Sequence, residues 1–566
     1  MRILFLTHAF NSLAQRLFHE LSERGHEISV ELDIADSVTE EAVALFRPAL
    51  VLAPFLKRAI PASIWTTVPC FVVHPGIAGD RGPSALDWAM ARGESRWGVT
   101  VLQAEADMDA GPIWASVEFP MRSVSKGALY RREVSDAALQ AVLLALERFC
   151  GGNYVPQRVP GKAYPLMSQQ VRKIDWQTQS TAEILTRIRA ADGFPGVADE
   201  LFGQPCHLFD AWPESRLSGP AGSLIARRES AICRATRDGA LWIGHVKRPG
   251  SIKLPSSIAF PEASTLPEHA LNNWNKVDYA TWQDIAWEEA DGVGFLAFNF
   301  YNGAMGTRQC ERLNAAFRWA TTRPVKVIVL LGGADFWSNG IHLNLIEAAD
   351  ENGSTAAEAS WANINAIDDL AESILRCESQ LTVAAVGANA GAGGCFLARA
   401  CDQVWVRDGV ILNPHYKNMG NLYGSEFWTY LLPPRVGHAG AQAIMQHRLP
   451  MGAAESVRLG FYDLCLPAAS FAVDVARRAL ELASHPEICG QLASKAQKRA
   501  ADEAQKPLAR YRQEELTEMQ RNFFGFDPSY HVARYHFVLK SPHSWTPRHL
   551  ARHRDLPQPT PDTRPT

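Results

Sequence analysis

The chain has 566 residues, 47% hydrophobic and 20% charged, with a formal net charge of −4. That length is too great for one hydrophobic core and predicts roughly two to four domains of ordinary globular composition. The charge gives no electrostatic footprint for nucleic acid or an anionic membrane surface, and no apolar run reaches the ~20 residues that span a bilayer.

The elements follow in chain order. "MRILFLTHAF" is apolar but short, lacks a cleavage site and runs straight into the amphipathic "NSLAQRLFHELSERGHE", so it reads as strand then helix and not as a leader. "RILFLTH", "EISVELD", "ALVLAPF", "CFVVHPG" and "GVTVLQA" read as strands spaced for βαβ units and a mostly parallel sheet over residues 1–155. Residues 156–255 carry one helical stretch, "STAEILTRIRAAD", and then strand-like pieces, "PCHLFDAW", "GSLIARRES", "AICRATRDG" and "ALWIGHVKR", which predict a small β domain. Residues 256–275, rich in Pro and Ser, read as a linker. Residues 276–485 form a second α/β region with buried-strand candidates "GVGFLAFNF", "VKVIVLLGG", "TVAAVGAN" and "QVWVRDG". Residues 486–555 read as helical and 556–566, "LPQPTPDTRPT", as a disordered tail. Ten cysteines are scattered without a CxxC pair or zinc-ligand spacing. No metal site is expected, and the pattern fits a reduced, cytoplasmic protein. His549 and His553, in "RHLARHRD", lack a carboxylate or cysteine in register and read as part of a solvated basic helix, as do His531 and His536.

Chemistry concentrates in two places. "VVHPGIAGDRGPSALDWAM" delivers His74 from a strand end into a Pro/Gly-rich loop, and "GVTVLQAEADMDAGPIW" delivers Asp109 before a glycine. A His and an Asp at the carboxyl ends of strands form a candidate proton-handling pair, or else a capped turn beside a loop aspartate. This region resembles the 10-formyltetrahydrofolate-dependent formyltransferases, the group that contains methionyl-tRNA formyltransferase. That family carries an "N-x-H-G/P-S-L-L-P-x-x-R-G" loop and a "D-x-G-x-D-T-G" loop. The resemblance spans residues 1–255 and implies catalytic roles for His74 and Asp109. It implies folate-binding roles for Gly76, Arg81 and Gly82. The family's asparagine, two residues before the histidine, is Val72 here. Losing one oxyanion donor costs about 10²–10³ in rate elsewhere, so the departure points to a substitute donor, slow transfer or a more reactive acceptor such as a thiol.

In the second α/β region, "AAVGANAGAGGCFLARACDQVWVRDG" resembles the Gly-rich segment of the crotonase (enoyl-CoA hydratase/isomerase) superfamily, with "FWSNGIHLNLIE" before it and "GAAESVRLGFYDLCLP" after it. The resemblance assigns Gly340, Ile341, Gly393 and Gly394 to a coenzyme A site, with amides near Gly340 and of Gly393 forming an oxyanion hole. The two hydratase glutamates are replaced by Phe396 and His415, which makes enoyl-CoA hydration an unsuitable reaction. Tyr416 and Glu426, in "NPHYKNMGNLYGSEFW", stand as catalytic candidates; the alternative is a packed ring and a solvated helix residue.

The chain as a whole resembles a family of nickel–iron hydrogenase maturation factors in which these two modules are fused. The expected fold is therefore α/β: a formyltransferase-like Rossmann-type sheet with a small β domain, then a crotonase-like domain with C-terminal helices. The resemblance implies transfer of formyl from 10-formyltetrahydrofolate to coenzyme A, then decarbonylation of formyl-CoA to CO and CoA. It names hydrogenase maturation proteins or the hydrogenase large subunit as protein partners. Hydrolysis of formyl-CoA to formate, or a non-catalytic crotonase domain that only binds CoA or a partner, remain open alternatives.

Overall fold

The computed structural model describes residues 1–555, so the expected tail at 556–566 lies outside the described residues. These residues form two compact units, 1–171 with 542–555, and 172–541.

The first unit is built on a six-stranded sheet in the order Glu27–Leu32, Arg2–Thr7, Leu50–Ala53, Cys70–His74, Arg96–Gln103, Ile113–Pro120. All five expected strands are present. The first four pair in parallel, as the βαβ spacing predicts. The last two pairings are antiparallel, so the mostly parallel sheet ends in an antiparallel edge. Ile113–Pro120, which was not expected as a strand, returns directly after the Asp109 loop and forms the outer strand of that edge. Antiparallel pairing sets His74 opposite Thr100. The helix Ser12–Glu23 starts where the Asn11 side chain accepts the Ala14 N–H at 3.0 Å.

Residues 542–555 correct two expectations, a helical region to 555 and a solvated helix around His553. Glu27–Leu32 is an edge strand, and an exposed edge invites foreign pairing. Here the chain's own end covers it. Val30 N–H donates to the Leu550 carbonyl at 2.9 Å, and Leu32 N–H to Thr546 Oγ1 at 2.9 Å. His553 is buried, with Nδ1 2.7 Å from Ser29 Oγ and Nε2 3.0 Å from Glu31 Oε2. Arg554 and Thr546 also donate to the Glu31 carboxylate. Burial alone would raise the Glu31 pKa, but the hydrogen bonds from His553, Thr546 and Arg554 hold it below the usual carboxylate range. Its stabilisation is therefore present above the unfolded carboxylate value and is lost as pH falls through the lowered folded value. Glu31→Gln is expected to cost this unit about 3 kcal/mol, as breaking a buried charge pair does. Urea unfolding at neutral pH measures it.

The second unit opens with an antiparallel sheet in the order Leu224–Arg228, Ala231–Ala235, Ala240–Lys247, Gln204–Glu214, Val197–Leu201. The helix Thr181–Ala191, started by a Ser180/Glu183 capping box, packs Ile184 and Ile188 onto it. The stretch expected as a linker is not a free connector. Ser256–Ala259 is a helical turn, Pro261–Thr265 a 3₁₀ turn, and Ala259, Phe260 and Ala263 are buried in this core. Phe260 is the physical reason: a large apolar side chain inside a Pro/Ser stretch is stabilised by burial, by about 1.5–3 kcal/mol.

Next comes a six-stranded sheet in the order Ile285–Ala290, Val293–Phe298, Val327–Leu331, Leu381–Val386, Gln403–Arg407, Leu464–Leu466. It is parallel after its first pair. Its four expected strands are present. A second sheet of short strands, Phe336–Ser338, Asn389–Gly391, Ile411–Asn413 and Met451–Gly452, was not legible, because strands of two or three residues show no period. The loops that leave this small sheet carry Gly340, Gly393 and Tyr416. The helices Ala356–Leu375 and Leu508–Phe524 pack against one another on this core. Among the described residues no helix is long and apolar enough to cross a membrane.

Candidate functional site

In the first unit, Cys70–His74 ends with His74 buried at the carboxyl end of its strand. The imidazole stands between two carboxylates. Nε2 lies 2.9 Å from Asp80 Oδ2, and Nδ1 lies 3.7 Å from Asp109 Oδ1, beyond hydrogen-bond reach. Asp109 sits in left-handed backbone at φ 55°, and its other oxygen accepts the Gly82 N–H at 3.1 Å. That bond joins the two expected loops. Gly76 is required by close approach: a Cβ there would stand 2.5 Å from His74 Nε2 and 2.6 Å from Asp80 Oδ2. Thr100 Oγ1 donates to the Gly76 carbonyl at 2.8 Å and fixes the turn from the neighbouring strand.

His74, Asp109, Gly76 and Gly82 therefore come together. The Arg81 guanidinium does not join them; it turns to the Val159 carbonyl at 3.4 Å. Asp80 was not among the expected residues, yet it makes the shortest contact to His74. Its signal was faint: one acid in a Gly-rich loop that has a capping or turn explanation. Val72 and His74 alternate onto the same face of their strand, so an apolar side chain occupies the place of the formyltransferase amide. A cleft of about 510 Å³ opens beside Asp80, lined by Arg92, Arg96, Lys162 and Tyr164 among others.

In the second unit, Gly393–Arg399 is a short helix whose first amide has no intrahelical partner by position. A Cβ on Gly340 would lie 3.2 Å from the Gly393 nitrogen, so the two expected glycine loops meet. The Gly340 amide itself donates to Ser338 Oγ at 3.1 Å. That leaves the neighbouring Ile341 amide, with that of Gly393, as the candidate donors expected near Gly340. Gly394 packs against the Ser338 carbonyl.

Glu426 is fully buried, and a Cβ on Gly393 would stand 2.0 Å from Glu426 Oε1. Its carboxyl therefore lies directly against the helix start. The Tyr416 hydroxyl donates to Glu426 Oε2. Phe396 stacks on the Tyr416 ring at 5.7 Å, so one lost hydratase acid has become an apolar wall. His415, at the other hydratase position, is buried. The alternative of a solvated Glu426 does not hold.

The turn that presents Glu426 is strained. Glu426 and Phe427 both have positive φ, 59° and 62°. For residues with side chains this costs roughly 1–2 kcal/mol each. Two buried carboxyls, neither of them expected, brace it. Asp368 accepts the Glu426 N–H at 2.9 Å and the Ser425 hydroxyl at 2.7 and 2.8 Å. Glu515 accepts the Phe427 and Thr429 N–H groups at 2.9 and 2.8 Å and the Thr429 hydroxyl at 2.6 Å. Burial and then the nearby Asp368 push Glu426 well above the usual carboxylate range. Burial and Glu426 push the Tyr416 phenol up. Burial pushes Asp368 up to about 6 and Glu515 up to about 8. The signal for these braces was present in the sequence. Asp368 falls within the apolar stripe Ile364, Ile367, Leu370, Ala371, Ile374, and Glu515 within Leu508, Met519, Phe523.

Comparison with known proteins places the whole chain. It is 53% identical over 566 residues to the hydrogenase maturation factor HoxX of Bradyrhizobium diazoefficiens, covering 98% of this chain and 97% of that protein. The chain belongs to the HoxX/HypX family of hydrogenase maturation factors. A crystal structure of HypX from Aquifex aeolicus in complex with tetrahydrofolic acid superposes with a TM-score of 0.95 at 46% identity, covering 98% of this chain and 99% of that one. Residues 166–259 match the formyl transferase C-terminal domain, and residues 301–546 match the enoyl-CoA hydratase/isomerase family. A methionyl-tRNA formyltransferase of Dechloromonas aromatica is 25% identical over 233 residues, 40% of this chain and 74% of that enzyme. The two-module family expected from the motifs is thus the family of the chain, and its formyltransferase and crotonase-like modules are both present.

Proposed function

We propose that this maturation factor makes carbon monoxide in two steps, from 10-formyltetrahydrofolate and coenzyme A. The first step is formyl transfer in the first unit. Support comes from the tetrahydrofolic acid complex of Aquifex HypX and from the arrangement around His74. The thiol of CoA attacks the formyl carbon, and its proton passes to His74, which Asp80 orients and Asp109 faces. The bond to the folate nitrogen breaks, and that nitrogen takes up a proton. Gly76, Gly82 and the Asp109 loop would cradle the folate. A thiolate nucleophile suits a site in which Val72 replaces an amide donor, because it needs less help than a protonated amine.

The second step splits formyl-CoA in the second unit. The observation that carries it is the Tyr416–Glu426 pair held against Gly393 with no hydratase acid beside it. The thioester oxygen would take the amides of Ile341 and Gly393. The Glu426 carboxylate removes the formyl proton, the C–S bond breaks, CO forms, and the Tyr416 hydroxyl protonates the leaving sulfur. The Glu426 carboxyl then returns its proton to the Tyr416 phenolate through the hydrogen bond that joins them. The sum is formyl-CoA to CO and CoA, with no proton drawn from solvent. Burial of both groups keeps water from diverting formyl-CoA to formate. As a hydrogenase maturation factor, the protein would supply its CO to the hydrogenase or to another maturation protein.

The test is to give synthetic formyl-CoA to the purified protein without folate. CO and free CoA in equal amounts support the decarbonylation step. Formate and CoA alone would assign the second unit to hydrolysis, and unchanged formyl-CoA would make it a binding domain.

A further inference from the structure

We propose that Asp368 is a positioning residue for the second site: a fixed anion that, with Glu515 as a second brace, locks the 425–429 turn over Gly393 and makes Glu426 the basic member of the cluster. This deepens the decarbonylation reading and rests on it.

The argument begins with the hydrogen bonds. Every bond that Asp368 makes in this cluster is accepted: the Ser425 hydroxyl reaches both its oxygens and the Glu426 N–H reaches one. Donors aimed at a carboxylate favour its charged form. Arg512 adds an attractive charge to Asp368 from the helix Leu508–Phe524. Asp368 is therefore the anion of the cluster at neutral pH. Glu426 has a poorer set. Its carboxyl is held by the Tyr416 hydroxyl and a bond from the Ser425 backbone, and it faces the Asp368 charge. When two close carboxyls compete, the proton goes to the one with fewer donors.

Among the described residues, five groups from four helices and one loop face Glu426. They are Asp368 on Ala356–Leu375, Glu515 on Leu508–Phe524, Tyr416 after Ile411–Asn413, Cys395 on Gly393–Arg399 and Cys310 on Thr307–Ala320. None is a cation. A second carboxylate placed against the Asp368 charge, with no cation among these groups, is thus a strong base, which removal of a formyl proton needs.

The backbone supplies a second, independent role. Two successive left-handed residues persist only where surrounding contacts over-determine them. Asp368 takes the amide of the first, and Glu515 takes the amide of the second. Without these acceptors the turn would relax and carry the Glu426 carboxyl away from Gly393.

Two readouts test this. The first is the infrared carbonyl stretch of the buried protonated carboxyl, followed against pH in the full-length protein and identified by its loss in Glu426→Gln. The second is the pH dependence of formyl-CoA consumption. In the wild type the Glu426 band should persist through neutral pH, and activity should rise with pH as that band disappears. Asp368→Asn should move both midpoints down by about one pH unit or more, since the opposing charge is gone. Ser425→Ala strips Asp368 of the hydroxyl that reaches both its oxygens, should move both midpoints in the same direction, and serves if Asp368→Asn fails to fold. A band that stays at the wild-type midpoint in the folded variant, or a wild type with no Glu426 band at neutral pH, would overturn the proposal. The infrared titration needs no turnover. It therefore decides this point even if the wild type yields formate in place of CO, an outcome that would remove the reaction and leave the tuning.

Discussion

Glu426→Gln is expected to cut CO release from formyl-CoA at least tenfold, and Tyr416→Phe to do the same. Positioned general bases and acids contribute about 10²–10⁴ in rate, so the full loss can be larger. The two substitutions fail differently. Glutamine keeps the volume of Glu426 and its place against Gly393 but cannot take the formyl proton. Phenylalanine keeps the ring stacked on Phe396 but can neither protonate the sulfur nor return a proton to Glu426. Both proteins should fold, because neither change opens a cavity, and both should still bind CoA. Formyl-CoA should accumulate, or leak away as formate. Headspace CO and thioester quantitation in one reaction read both outcomes. Unchanged CO release by Glu426→Gln would make Glu426 a wall residue, with His415 the next candidate for the base.

The second large effect lies in the first unit. His74→Ala and Asp109→Asn should each abolish formyl-CoA formation from 10-formyltetrahydrofolate while leaving decarbonylation of added formyl-CoA intact. His74→Ala removes the imidazole set between the two carboxylates. Asp109→Asn keeps the shape of the loop and removes its charge 3.7 Å from Nδ1. Asp80→Asn separates the roles of the two carboxylates. If Asp80 orients the ring through its 2.9 Å bond, transfer should fall sharply there as well. Formation of formyl-CoA near the parent rate by both His74→Ala and Asp109→Asn would remove this assignment.

The parts of the fold that were legible are those whose periodicity is long enough to read. The strands from Arg2–Thr7 to Arg96–Gln103 and the central strands of the second α/β region announce themselves as apolar runs between helical patterns. The small sheet that frames Gly340, Gly393 and Tyr416 did not, since strands of two or three residues leave no period. The course of 542–555 was hidden for another reason. "RHLARHRD" reads as a solvated basic helix until the edge strand that needs covering is known, and only then does His553 find Glu31. At the candidate sites, the sequence pointed to His74 and Asp109 because formyltransferase-like loops frame them, and to Tyr416 and Glu426 because Phe396 and His415 replace the hydratase acids. Asp80, Asp368 and Glu515 were not, because each supports another residue across a distance that sequence spacing does not encode. The two in helices did leave a trace, as acids lodged inside apolar stripes.

The central claim is that the formyl carbon of the folate leaves this protein as CO. The most direct measurement supplies 10-formyltetrahydrofolate labelled with ¹³C at the formyl carbon, together with CoA, to the purified wild-type protein. Labelled CO is trapped on reduced haemoglobin, and labelled formate is quantified in the same vessel. The account predicts ¹³CO in step with tetrahydrofolate release, dependent on CoA and lost in Glu426→Gln. Labelled formate with no ¹³CO would contradict it.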